Sequence, residues 1–162
     1  MIHMLVGIQG SGKTTFANEL KKELNCEVVS TDNVRKEGVP ETEVWKVVYQ
    51  KCADALNNNQ DVIYDATNIT PKVRQRLFDE VSKLNAIPVV GVYYFITDVK
   101  TCYERVKVRN TIEGELYLPE EVVYSYHSKL IEPTFDEDFV FIKKVKDGKV
   151  IEVNNNEKKY IN

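Results

Sequence analysis

Residues Gly7 to Thr15, GIQGSGKTT, satisfy the pattern G-x-x-x-x-G-K-[ST], which cradles phosphate. The stretch before it, Ile2 to Val6 (IHMLV), is a short apolar run of strand type, and Phe16, Ala17 and Leu20 after it begin a helical stripe. A strand, a glycine-rich turn and a helix start are what that chemistry needs. Gly7, Gly10 and Gly12 let the backbone approach an anion, and successive N–H groups with the positive end of the helix macrodipole then bind polyphosphate. Gln9, Ser11 and Thr15 complete the loop, Lys13 reaches the outer phosphates, and the Thr14 hydroxyl takes a position on magnesium.

Phosphoryl transfer further requires an oriented acceptor, a group to take its proton, and positive charge over the moving phosphoryl group. Asp32, at the end of a second strand, is a candidate proton acceptor. Arg35 stands one helical turn on, to hold the phosphate of the acceptor or the one being transferred. Asp65 closes a third strand and is a candidate either for ordering the metal or for bracing Arg35, while Thr67 and Asn68 are placed to hydrogen-bond acceptor or loop groups or to serve the turn and cap themselves. Arg74 is a candidate for the acceptor pocket, with the helix at Glu41 to Asn57. Arg105 and Arg109, one turn apart before a glycine-containing loop, are placed to swing over bound ATP as a lid, approximately residues 105–118.

The elements that must position these groups are readable from periodicity. Cys26 to Ser30, Asp61 to Tyr64, Ile87 to Phe95 and Phe139 to Val145 read as strands after the first, and Val150 to Val153 as an edge or hairpin extension. Helices are expected over about Lys13 to Asn25, Glu41 to Asn57, from Pro71 through Leu84, Asp98 to Arg109, and after Pro119. Alternating strand and helix predicts an α/β fold: a five-stranded, mostly parallel sheet flanked by helices on both faces, with ligands beyond the carboxyl ends of the strands. Three polar clusters far apart in sequence should converge there.

At 162 residues, 43% of them hydrophobic, the expectation is a single domain spanning 1–162. No apolar run approaches the roughly 20 residues of a membrane span, and no signal peptide is apparent, so a cytoplasmic location is expected. Cys26, Cys52 and Cys102 form no C-x-x-C pair and suit reduced thiols, and His3 and His127 are isolated. The net charge of −3 argues against a surface that coats nucleic acid. Positive charge is gathered instead at Lys72, Arg74 and Arg76 and at Lys100, Arg105, Lys107 and Arg109, which suits grasping a phosphorylated end.

Taken together, GSGKTT, TDNVR, DATN-x-x-P-x-x-R and VRN ahead of Pro119 resemble the kinase domain of phage-type polynucleotide 5'-hydroxyl kinases, within the wider group of small P-loop kinases. The resemblance runs from about Met1 to Val145. It implies a P-loop kinase fold, ATP and Mg2+ as donor and metal, the 5'-OH end of DNA or RNA as partner, and nucleic acid end repair as the setting. It further implies Asp32 as general base, Arg35 on acceptor or donor phosphate, and a lid arginine on the donor. Two positions depart from the pattern: Glu113 stands where a lid arginine is expected, and the strand-end acid, Asp65, is shifted by one. The lid role then moves to Arg109 or Arg105. No phosphatase domain accompanies the kinase motifs, so end healing is expected to stop at adding a phosphate. Two other classes fit the same loop: a kinase of a small hydroxylated metabolite, nucleoside or antibiotic, and a non-catalytic nucleotide-binding switch.

Overall fold

The computed structural model describes residues 1–159. Strand β1 (Ile2–Val6) leads through the glycine loop into helix α1 (Lys13–Leu24), then β2 (Glu27–Val29), α2 (Thr31–Lys36), α3 (Val44–Asn57), β3 (Val62–Asp65), α4 (Pro71–Lys83), β4 (Val90–Phe95), α5 (Val99–Arg109), α6 (Glu120–Lys129), β5 (Phe141–Lys146) and β6 (Lys149–Asn155). The sheet order is β2-β3-β1-β4-β5-β6. The first five strands in that order run parallel, so all of their carboxyl ends meet at one edge.

The sheet has six strands where five were expected. The Val150 to Val153 stretch is part of β6, which returns antiparallel along β5. An Asp147-Gly148 turn, with φ of 50° and 74°, makes the hairpin. Elsewhere the boundaries follow cap chemistry. Ser30 Oγ accepts the Asn33 N–H at 3.0 Å to start α2, Thr70 and Pro71 start α4, and Asp98 caps α5 through the Thr101 N–H at 2.9 Å.

β1 is buried along its whole length because β3 and β4 flank it and helices cover both faces. Its alternate side chains feed two cores. Ile2, Met4 and Val6 pack with Val48 and Cys52 of α3 and Leu77 and Val81 of α4. Leu5 packs with Ala17 and Leu20 of α1 and with Tyr93 and Phe141. The three cysteines are free thiols. His3 is buried between Tyr93 Oη, 3.3 Å from Nδ1, and Asp61, 3.2 Å from Nε2.

The most consequential buried polar group is Arg74, which is 0% exposed. Its Nε and Nη2 donate to the two carboxylate oxygens of Glu137 at 2.8 and 3.0 Å, and Nη1 donates to the carbonyls of Asn68 and Ile131 at 2.9 and 3.0 Å. Asn68, also fully buried and at φ 49°, in turn donates from Nδ2 to the Leu5 carbonyl at 2.8 Å. A polar strut therefore runs from the end of β1 through Asn68 and Arg74 to the segment before β5. Breaking one side of a buried, hydrogen-bonded ion pair strands the other charge, at a cost of about 3–5 kcal/mol. Arg74→Met is expected to lower the unfolding midpoint in urea by that much stability, and a change below about 1 kcal/mol would show that the strut bears little weight.

Candidate active site

The carboxyl ends of β1, β3 and β2 deliver the glycine loop, Ala66-Thr67 and Ser30 to Asp32 to one edge of the sheet. The Gly7 N–H donates to the Thr67 carbonyl at 3.0 Å, sewing the first two together. Gly10 and Gly12 sit at φ 79° and 96°, in the left-handed region that side-chain-bearing residues rarely adopt. Gly12 is the N-cap of α1 and supplies no side-chain cap. Among the described residues no acceptor takes the N–H groups of Gly12, Lys13, Thr14 or Thr15. Four aligned donors at the positive end of a helix form an anion nest.

The loop is braced from α5. A Cβ at Gly10 would run into the Cys102 carbonyl, Arg105 Nη1 donates to the Gly10 carbonyl at 3.0 Å, and Thr97 Oγ1 donates to the Ser11 carbonyl at 3.0 Å. Among the described residues the buried Gln9 Oε1 and Ser11 Oγ find no hydrogen-bond partner. Lys13 lies buried in the nest, its Nζ donating to the Ile8 carbonyl at 3.0 Å. Burial pushes its ammonium from an ordinary value of 10.5 down to about 8; the Asp65 charge pulls it up and Arg109 pushes it down.

That shift has a signed consequence. The folded value lies below the ordinary one, so the unliganded site loses its charge as pH rises through about 8, whereas a bound polyphosphate favours the charged form. Affinity for ATP is expected to be flat below that pH and to fall above it by up to about tenfold per pH unit, with proton uptake on binding. Calorimetric titrations at several pH values, in buffers of different ionisation enthalpy, check this; affinity unchanged up to pH 10 would contradict it.

A cavity of about 640 Å3 brings most of the sequence candidates together: Gln9, Lys13, Thr14 and Thr15 on one wall, and Asp32, Asp65, Thr67 and Arg109 around them. Burial pushes the Asp65 carboxyl up, Lys13 pulls it down and Asp32 pushes it up, so the charges of the three polar clusters act on one another. Gly10 and Gly12 also line this cavity. Gly7 and Ser11 are buried, Gly7 acting through its backbone.

Four more of the candidates, Arg74, Asn68, Arg35 and Arg105, lie outside this cavity. Arg74 and Asn68 do not line the acceptor pocket; both are buried in the strut. Arg35 does not line the cavity either: Glu41 fills its guanidinium fork with two bonds of 2.8 Å, and Arg35 meets the cleft through Nη1 to Asp32 Oδ1 at 3.1 Å. That contact with Glu41 raises the Arg35 pKa and holds the Glu41 carboxyl below its usual range. Arg105 faces the far side of the loop, in a second cavity of about 560 Å3. Arg109, Gly10, Gly12 and Thr15 line both spaces.

The second cavity also contains groups the sequence reading missed: Lys143 of β5, Asp147 and Gly148 of the hairpin turn, and Val150 of β6. The reading of Val150 to Val153 as an edge or hairpin extension anticipated the hairpin, and the Asp-Gly pair at its turn is the signal that would have fixed it. After α5, Asn110 clasps Leu118 with two 2.9 Å bonds, Nδ2 to the carbonyl and the Leu118 N–H to Oδ1, closing the base of the loop that carries Glu113 and Gly114. For a metal, the oxygens of Thr14 and Asp65 form a hard donor pair. That suits magnesium, which keeps several waters and takes further oxygens from phosphate. Among the described residues no cluster of three or more His, Cys, Asp or Glu could hold an ion alone.

Comparison with known proteins gives this geometry relatives. A family model described as an AAA domain, AAA_33, matches residues 2–133. No curated protein matches the sequence. Among solved structures, a chain of the Pnkp1/Rnl/Hen1 RNA repair complex is 25% identical with a TM-score of 0.68, covering 80% of this chain and 43% of that one. A fungal RNA kinase is 17% identical with a TM-score of 0.66, over 90% of this chain and 73% of that one. A gluconokinase from Sinorhizobium meliloti 1021 is 15% identical with a TM-score of 0.56, over 88% of this chain and 81% of that one. These likenesses establish a P-loop kinase-like fold. Among the described residues no helix is long and apolar enough to cross a membrane.

Proposed function

The chain belongs to the AAA domain family AAA_33, and from that premise we propose that it is a magnesium-dependent kinase that transfers the γ-phosphoryl group of ATP to a 5'-hydroxyl end of DNA or RNA. The observation that carries this reading is the single cavity in which a polyphosphate nest and an exposed carboxylate, Asp32, face each other. A nucleotide switch needs the nest alone; a transferase needs both.

In this reading the nest and Lys13 hold the β- and γ-phosphates, Arg109 neutralises charge on the transferring group from the lid side, and Arg105 braces the loop beside the donor. The second cavity, bounded by Arg109 and the Asp147-Gly148 turn, takes the rest of the donor nucleotide. Asp32 accepts the proton of the acceptor hydroxyl, whose oxygen bonds to the γ-phosphorus as the bond to the β-phosphate oxygen breaks and ADP leaves. Arg35, held by Glu41, Thr31 and Asp32, orients the carboxylate instead of gripping phosphate. Thr67 lies beside Asp65 for the acceptor. Thr14 and Asp65 would hold a magnesium ion, which would supply neutralisation of the polyphosphate charge.

Polynucleotide as the acceptor is supported by the repair-complex and RNA-kinase neighbours and by Lys21 and Lys36 in the cavity wall. The test offers labelled ATP with magnesium, a 5'-OH oligonucleotide, the same strand already 5'-phosphorylated, and a panel of nucleosides and sugars. Label on the 5'-OH strand alone is expected. Label on a metabolite instead would make this a small-molecule kinase, and binding of ATP without turnover on any acceptor would make it a switch.

A further inference from the structure

Trp45 is the chain's one tryptophan, at the second position of α3, where it leaves the helix's buried stripe of Val44, Val48, Tyr49 and Cys52 and stays 41% exposed. Its ring stacks on that of Tyr49, with centroids 5.7 Å apart and an interplanar angle of 26°. One indole face is thus backed by another aromatic ring, and the rest of the side chain lines the cavity that holds Asp32, Asn33, Lys36 and Thr67. What sets this indole apart from the other exposed apolar side chains is its place in the wall of the cavity that holds Asp32, where an aromatic face is open to a ligand. The backing ring fixes the plane of the indole, so little side-chain freedom is left to lose on binding.

We propose that Trp45 is the stacking platform for the terminal nucleobase of the acceptor strand. The proposal rests on the reading of the cleft as that of a polynucleotide 5'-hydroxyl kinase and specifies how it holds its acceptor. A planar base laid on the open indole face places the attached sugar and its 5'-hydroxyl toward Asp32 on the same cavity wall. Lys36 in that wall supplies a cation for the phosphodiester that follows. A stack reads the π-face, not the edge, so the platform accepts any of the four bases and discriminates against an acceptor that carries none.

The single tryptophan makes the test direct. A 5'-OH oligonucleotide, without ATP, is expected to quench the protein's tryptophan emission, and one whose terminal nucleotide is abasic to quench it far less. In turnover, Trp45→Ala is expected to raise KM for the oligonucleotide about 10- to 100-fold, the loss of one base-aromatic stack, while KM for ATP stays within about twofold. Trp45→Phe, which keeps a π-face, is expected to recover most of that loss, a rescue that a merely structural role would not give. If wild-type protein phosphorylates the oligonucleotide and Trp45→Ala does so with unchanged KM, the platform is wrong and the kinase reading stands. Equal KM for intact and abasic ends would overturn it in the same way. If the oligonucleotide is not phosphorylated while a sugar is, the polynucleotide reading fails, the protein is a small-molecule kinase, and the nucleobase platform is overturned with it.

Discussion

Asp32→Ala is expected to cut phosphoryl transfer by about 10²- to 10⁴-fold while leaving ATP affinity within about twofold of wild type. The carboxylate is 82% exposed and stands outside the anion nest, so donor binding does not draw on it. Its place in the shared cavity, steadied by the 3.1 Å bond from Arg35, suits it to take a proton from an incoming hydroxyl. Removing a general base costs about 10²- to 10⁴-fold in kcat. Because the effect falls on chemistry, single-turnover rates at saturating ATP and acceptor should show the whole of it, with calorimetry reporting unchanged nucleotide binding. A variant that lost ATP but kept its turnover would assign Asp32 to the donor instead. Arg35→Ala and Glu41→Gln probe the same carboxylate from behind, and smaller losses are expected because each acts through Asp32.

The second large effect belongs to Lys13. Lys13→Met keeps the length of the side chain and removes the only ammonium buried in the nest, so both ATP affinity and kcat are expected to fall, kcat by about 10²- to 10³-fold. The two losses separate by pH. Wild-type affinity declines as the medium passes about pH 8, and the methionine variant should be flat there because the titrating group is gone. Affinity that fell with the same profile in both proteins would move the titration to another group. Affinity left at the wild-type level would mean that the backbone donors alone bind the donor.

These two residues were legible in the amino-acid sequence for a physical reason. A phosphate nest is made by consecutive backbone groups, so spacing alone encodes it, and Gly10, Gly12 and Lys13 stand where the letters put them. The parallel sheet was legible because strand and helix periods alternate, and the apolar stretch Val150 to Val153, read as an edge or hairpin extension, is part of the sixth strand that the count of five left out. What the letters could not carry was partnership at long range. Arg74 sits in a stretch of basic residues and reads as a phosphate ligand until Glu137, 63 positions away, closes on it inside the protein. Arg35 one turn from Asp32 reads as an acid and base sharing a cleft, but Glu41 claims the guanidinium from across the Gly38-Pro40 connection. Lys143 and the Asp147-Gly148 turn share a cavity with the glycine loop only because β5 is laid beside β4 and β6 beside β5, a juxtaposition no local pattern announces.

The packing of Gly10 against Cys102 has a mechanical meaning. With the helix carbonyl in van der Waals contact and Arg105 gripping the loop from the next turn, α5 and the glycine loop form one rigid lever whose far arm ends at Asn110. Any side chain at position 10 would therefore have to displace the helix itself, so the shape of the phosphate end and the seating of α5 are a single packing decision.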